Sequence, residues 1–249
     1  MTKIISIINN KGGVGKTTST QNIACGLNQK GYSVGMVDFD PQANLTSATQ
    51  ILDEKIDLRT ALLAKKPLAK SDFSTTSRDN LFILPNKQDT NSKIFAQFEI
   101  FEQTSILKNI LKNDLFDFLI IDTPPNLDLQ TYNTIVASHY LLIPVELEVF
   151  SIQGLQNIFD RVAQITSGGF STAQILGIFV TQLDRRQSLN EPAQIKLNQD
   201  FKDKIFQSVI RVNSEFKKAQ ALKKDIWEYG DKKGIDDYTA LIDELLSKI

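Results

Sequence analysis

Apolar residues in this chain recur as short dense runs, separated by longer stretches in which they fall at helical spacing. Ile4, Ile5, Ile7 and Ile8 form a β-branched run that is apolar on both faces, the pattern of a central parallel strand covered from both sides. Further runs of this kind are Ser33 to Asp38 (SVGMVD), Leu81 to Leu84 (LFIL), Phe116 to Asp122 (FDFLIID), Tyr140 to Val145 (YLLIPV) and Ile175 to Thr181 (ILGIFVT). Helices are expected over Thr18 to Gln29, Leu58 to Leu63, Phe101 to Lys112, Ile152 to Ile165 and Asp236 to Ile249. The last carries Tyr238, Leu241, Ile242, Leu245 and Leu246 on one face, and its polar face is largely acidic. Strands that alternate with helices give an α/β fold, a doubly wound and mostly parallel β-sheet flanked by helices on both faces. At 249 residues a single domain over 1–249 is expected, with the polar stretch Lys65 to Asn80 as a surface connection.

The first run passes directly into the loop NNKGGVGKTT. Gly12, Gly13 and Gly15 remove Cβ atoms where the backbone must turn sharply and bring its N–H groups against phosphate oxygens. Lys16 can then reach terminal phosphates, Thr17 can offer its hydroxyl to Mg²⁺, and the helix that follows presents its positive end to the anion. Asn10 and Lys11 occupy the place where the pattern G-x-x-x-x-G-K-[ST] has its first glycine. Asp38 and Asp40 lie at the C-terminal edge of the second strand, where open parallel sheets place their ligands; in isolation, Asp40-Pro41 is equally a turn. An apolar strand closing on Asp122 is what a Walker B motif requires, with Asp122 holding Mg²⁺ opposite Thr17. Glu146 and Glu148 read either as surface charge or as contacts with a partner subunit's nucleotide.

KGGVGKTT resembles the deviant Walker A sequence of the ParA/MinD family of P-loop ATPases, in which a signature lysine, here Lys11, precedes the first glycine. DFDPQAN is similar to the family's D-x-D-P-Q-x-N motif, IIDTPP is similar to its Walker B strand, and Pro85-Asn86 fits a Pro-Ser/Asn turn. The resemblance implies a P-loop NTPase-like fold, ATP and Mg²⁺ as cofactors, and hydrolysis of ATP to ADP and phosphate. By it, Lys11, Gly12, Gly13, Val14, Gly15, Lys16, Thr17 and Thr18 bind nucleotide, and Thr181 contacts the base. Thr17, Asp122 and Asp40 serve the metal, Asp40 positions or activates the attacking water with Lys11 and Lys16 as the other catalytic groups, and Asp38 supports the loop. Two subunits would sandwich two ATP molecules, with Lys11 and Glu148 at that dimer interface. The nitrogenase iron-protein branch needs cluster-holding cysteines, and this chain has only Cys25, expected as a small buried thiol.

Charge changes the picture in one respect. Lys and Arg number 28 and Asp and Glu 29, for a net charge of −1 and a pI near 5.9, so no global positive field draws the molecule to nucleic acid. The last third nevertheless concentrates Arg185, Arg186, Arg211, Lys217, Lys218, Lys223 and Lys224. If Phe216 to Ile226 is helical, its lysines form a broad face, which reads either as a solvated surface or as a phosphate-neutralising patch. The family resemblance favours the second, since Asp184-Arg185-Arg186 resembles its D-x-R segment; Arg186, Arg211, Lys217, Lys218, Lys223 and Lys224 become DNA-binding candidates. Glu215 departs from the family there, standing near a position often held by arginine.

The resemblance thus implies an ATP-dependent DNA partition or cargo-positioning protein: an ATP-bound homodimer on non-specific nucleoid DNA, released when a ParB-like or other cargo adaptor stimulates hydrolysis. The alternative is a MinD-like ATPase on a membrane or scaffold. A membrane-surface helix is basic with bulky apolar residues, so the acidic C-terminal segment is expected to pack on the sheet and a membrane partner is not expected. The chain has no apolar span of ~18 residues and starts with its first strand, leaving no room for a signal peptide or an extra N-terminal DNA-reading domain. A cytoplasmic, nucleoid-associated protein is expected.

Overall fold

The computed structural model describes residues 1–88, 92–99, 102–112, 114–126, 128–184 and 190–249, by backbone alone at 92–93, 149–153 and 190–191. The strands are β1 (Lys3–Ile7), β2 (Val34–Asp38), β3 (Ile51–Asp53), β4 (Ser74–Thr76), β5 (Leu81–Leu84), β6 (Phe118–Asp122), β7 (Tyr140–Val145), β8 (Gln174–Leu183) and β9 (Ile205–Arg211). They form one sheet in the order β3-β4-β5-β2-β6-β1-β7-β8-β9. Pairing is parallel from β5 through β9, and only the β3–β4 and β4–β5 pairs at one edge are antiparallel. The helices are α1 (Lys16–Gln29), α2 (Asn44–Ala48), α3 (Leu58–Ala64), α4 (Ile106–Ile110), α5 (Leu129–Ala137), α6 (Val149–Ser167), α7 (Asn190–Phe201), α8 (Glu215–Ala221), α9 (Ile226–Tyr229) and α10 (Lys232–Leu246).

Side-chain alternation explains why the central strands are apolar throughout. Met36 and Ile120 point into a core shared with Ile23 and Leu27 of α1 and Tyr238, Leu241, Ile242 and Leu245 of α10. Their neighbours Val37, Leu119 and Ile121 point the other way, into a core with α3 and α4, while Leu141, Ile143 and Val145 pack against α5 and α6. Gly26 lies where α1 meets α9 and α10: a Cβ there would come within 2.2 Å of Ile242 Cδ1 and 2.6 Å of Trp227 Cη2. That close approach is available only to glycine.

Register sets the functional edge. In the parallel ladder Ile7 is opposite Asp122, and Asp122 is opposite Asp38. Three adjacent strands, in the order β2-β6-β1, therefore end at one level, with the glycine loop leaving β1 beside Asp122 and Asp38 one strand further on.

The structure departs from the sequence expectations in several places. The helix expected over Phe101 to Lys112 is a single short α4, and β3 and β4, three residues each, are too short and polar to register as apolar runs. Continuous helix from Phe216 to Ile226 is broken: Lys223 adopts φ 55°, and Lys224 N donates to Ala219 O at 2.9 Å, closing α8. A new helix then starts because the Asp225 side chain accepts from Trp227 N and Glu228 N while Arg78 holds it from the β4–β5 turn at 2.6 and 2.8 Å. The C-terminal helix begins before Asp236, where Asp231 caps Gly234 N.

Candidate nucleotide site

The loop after β1 is braced from three sides. Asn9 Nδ2 donates to Pro144 O at 2.6 Å, Lys11 N donates to Asn9 Oδ1 at 2.9 Å, and Thr181 Oγ1 donates to Val14 O at 2.9 Å. Gly13 and Gly15 take φ 81° and 85°, left-handed values that L-residues reach only with strain. Ser19 N donates to Gly15 O at 2.8 Å, so α1 starts directly from the loop and directs its unpaired N–H groups into the same space.

Lys16 is 7% exposed and its ammonium donates to Lys11 O at 2.9 Å. Burial lowers its pKa from the usual lysine range, with the Asp122 and Asp40 charges opposing that shift. Asp38 and Asp122 are fully buried and Asp40 nearly so. Burial pushes all three carboxyls upward, Asp38 to about 6; at Asp122 the charges of Asp38 and Asp40 add to the effect, while Thr17 and Lys16 oppose it. Buried carboxylates crowded in this way favour a cation among them.

The donor set fits Mg²⁺ carried with a nucleotide. Among the described residues, two buried side-chain polar atoms lack a hydrogen-bond partner, Gln21 Oε1 and Asp122 Oδ2. The Thr17 side chain hydrogen-bonds to the carboxylate that carries the second. No group of three or more His, Cys, Asp or Glu among the described residues could hold a metal by itself. A site completed by phosphate oxygens and water is the usual Mg²⁺ arrangement. A cavity of about 300 Å³ is lined by Gly12, Gly13 and Gly15, by Lys16, Thr17 and Thr18, and by Asp40, Gln42 and Asn44. A second cleft of about 450 Å³ shares Gly13, Gly15 and Thr18 with it and extends to Thr181, Val212 and Asn213. Thr181 lines that cleft, and its hydroxyl donates to the Val14 carbonyl, so it also braces the loop.

Lys11 turns away from Lys16. Its Nζ lies 2.9 Å from Glu146 Oε2 and 2.7 Å from Glu148 Oε2 of its own chain. Hydrogen bonds and charge from these two glutamates outweigh desolvation and raise its pKa. Gln182, at φ 53°, links this clasp to the loop: its Nε2 donates to Glu146 Oε1 and, at 2.7 Å, to Gly13 O.

The structure divides the basic candidates. Arg211 is bound to buried Asp237 through Nε at 2.9 Å and Nη2 at 2.6 Å, an ion pair that ties the end of β9 to α10. Lys218 pairs with Glu215 at 2.7 Å. Lys217, Lys223 and Lys224 are exposed, with Lys223 and Lys224 beyond the end of α8. Arg185 and Arg186 lie outside the described residues. Sequence reasoning passed over Thr46, Asn86 and Gln182. Only Asn86 carried a signal, its place after Pro85 at the end of β5, and that signal indicated no more than a turn.

The family described as "AAA domain" matches residues 2–175. The chromosome-partitioning ATPase Soj of Treponema pallidum is 32% identical over 251 residues, covering 100% of this chain and 98% of that protein. Among solved structures, apo McdA of Cyanothece superposes with a TM-score of 0.83 at 22% identity, covering 98% of this chain and 100% of that one. Cobyrinic acid a,c-diamide synthase of Mycobacterium smegmatis, with bound ATP analogue and magnesium, gives 0.81 at 23% identity over 99% and 95%. The two structural likenesses establish the fold, and the sequence relative narrows the family.

Proposed function

The chain belongs to the AAA-domain family and, within it, to the ParA/Soj group of P-loop partition ATPases, and from that premise we propose that it is a DNA-based positioning switch. ATP-bound subunits pair, hold DNA without sequence preference, and let go when a cargo adaptor of the ParB type stimulates hydrolysis. Residues 1–249 act as one ATPase domain in this reading.

The observation that carries the proposal is the convergence of Lys16, Thr17, Asp40 and Asp122 on one glycine loop, with Lys11 clasped beside it by Glu146 and Glu148. Loop N–H groups and Lys16 neutralise the phosphates. Thr17 and Asp122 would hold Mg²⁺, which would supply further neutralisation of the phosphate charge. Asp40 accepts a hydrogen bond from the attacking water and orients it; the water oxygen bonds to the γ-phosphorus as the bond to the ADP oxygen breaks. Lys11 leaves its glutamates to reach the partner's nucleotide, which couples ATP occupancy to pairing. The exposed lysines at the end of α8 supply the DNA face. Helix α10 spends its apolar side on α1 and β9, which supports DNA over lipid as the surface.

The test uses Asp40→Ala to slow turnover, with ATP and Mg²⁺. Expected are dimers by light scattering and salt-sensitive binding to random duplex DNA; Lys11→Ala should keep ATP binding and lose turnover. Monomers that ignore DNA, or sedimentation with vesicles that excess DNA does not compete, would refute the reading.

A further inference from the structure

The loop that carries Asp40 is held from a neighbouring strand by a residue to which no role attaches so far. Asn86 follows β5 and is 3% exposed. Its Nδ2 donates to Asp40 O at 2.9 Å, and its backbone N donates to Thr46 Oγ1 at 2.9 Å. The Thr46 hydroxyl donates in turn to Asp38 Oδ2 at 2.7 Å, and Thr46 N reaches the same oxygen at 2.8 Å. The amide orientation follows from chemistry: Lys87 N, which can only donate, lies 2.9 Å from Asn86 Oδ1, and the Asp40 carbonyl can only accept.

This yoke closes a ring through the strand end, the Asp40 turn and α2. Asp40 N approaches Asp38 Oδ1 at 3.3 Å, Ala43 N donates to Asp40 O at 2.9 Å, and Gln42 N donates to the Asp40 carboxylate at 2.9 Å. The same turn contains Ala43 at φ 53°, a left-handed conformation that a non-glycine residue keeps only where its surroundings over-determine it. Asn86 and Thr46 supply that determination from outside the turn.

We infer that Asn86 is a positioning residue for ATP hydrolysis: through Asp40 O and Thr46 it fixes the turn so that the Asp40 carboxylate stands where the attacking water must be oriented. The inference rests on the reading of Asp40 as the water-orienting group. Displacement of a catalytic group by about 1 Å costs on the order of 100-fold in rate, so the hydrogen bond matters out of proportion to its net contribution to stability.

The experiment measures kcat, the Kd for Mg-ATP and Tm on the full chain. Asn86→Ala and Asn86→Asp are expected to lower kcat by about 10- to 100-fold while the Kd for Mg-ATP changes less than about twofold. Asn86→Asp keeps the size and the Lys87 hydrogen bond but, once ionised at alkaline pH, cannot donate to Asp40 O, so measured across pH it separates loss of the donor from loss of packing. Thr46→Val should share the defect and Thr46→Ser should restore it. In an Asp40→Ala background, Asn86→Ala should leave the residual rate unchanged. Wild-type kcat in both Asn86 variants, or a loss of kcat matched by weaker Mg-ATP binding and undiminished in the Asp40→Ala background, overturns the inference. If Asp40→Ala itself turns over normally, the reading of Asp40 fails first, and the two failures are distinguishable.

Discussion

Under the proposed DNA-based function, the division of basic residues at the end of the chain predicts which charges meet DNA. Lys217, Lys223 and Lys224 are exposed, whereas Arg211 is bound to Asp237 at 2.6 Å and Lys218 to Glu215 at 2.7 Å. A lysine released from solvent onto a phosphate contributes a slope of about −0.9 to log K against log salt. Three per subunit give about six in a dimer, so replacing all three by glutamine should make the slope shallower by about 5. Between about 50 and 200 mM salt that difference amounts to roughly 10³ in affinity. Arg211→Gln and Lys218→Gln remove charges already matched by a carboxylate and should alter the slope by less than about 1 each, within the screening distance of ~10 Å. The assay is fluorescence anisotropy of a labelled random duplex with Asp40→Ala protein, ATP and Mg²⁺ across a salt series. A triple-lysine variant with the parental slope, or an Arg211→Gln variant that loses as much, would refute this division of the surface.

Other consequences are open to direct measurement. Arg78→Ala strands the carboxylate of Asp225, whose side chain is 3% exposed, and should cost about 3–5 kcal/mol in urea unfolding; a loss below about 1 kcal/mol would show that the pair does not organise the start of α9. Asp122→Asn should abolish the Mg²⁺-dependent part of ATP binding without lowering the Tm of the nucleotide-free protein, because the carboxyl it replaces is already pushed upward by burial; calorimetry with and without EDTA decides. His139 accepts from Ile4 N at 3.0 Å through Nδ1, and desolvation, with the nearby Lys108 charge, lowers its pKa from 6.5. The unfolded chain then binds the extra proton first, so this contribution is present above about pH 6.5 and is lost as pH falls through the folded value. The stability difference between wild type and His139→Gln should shrink on acidification, and a difference independent of pH between 7 and 5 would contradict that linkage.

Expectations succeeded where the information is local. The run at Ile4 to Ile8, the loop from Gly12 to Thr17 and the strand closing on Asp122 each carry their own conformational instructions: β-branching, absent Cβ atoms, and apolar periodicity broken by a carboxylate. Parallel pairing then brings Asp38 and Asp122 level beside the loop. Local spacing failed at 216–226, where lysines at helical intervals suggested one continuous face. The break at Lys223 depends on Asp225, and Asp225 depends on Arg78, which is 147 positions away.

Sequence alone thus determined the six central strands β1, β2 and β5 to β8, the phosphate loop and the identity of the carboxylates at its edge, because backbone preference and burial act over a few neighbouring residues; the edge strands β3, β4 and β9 carried no such local signal. The tertiary structure decided which charges are committed. Lys11 is held by Glu146 and Glu148, Arg211 by Asp237, and the Asp40 turn by Asn86, 46 positions on. A formal charge or an amide reads the same in a sequence whether it is spent or available. Its partner is chosen only when folding brings distant strands and helices within hydrogen-bonding distance.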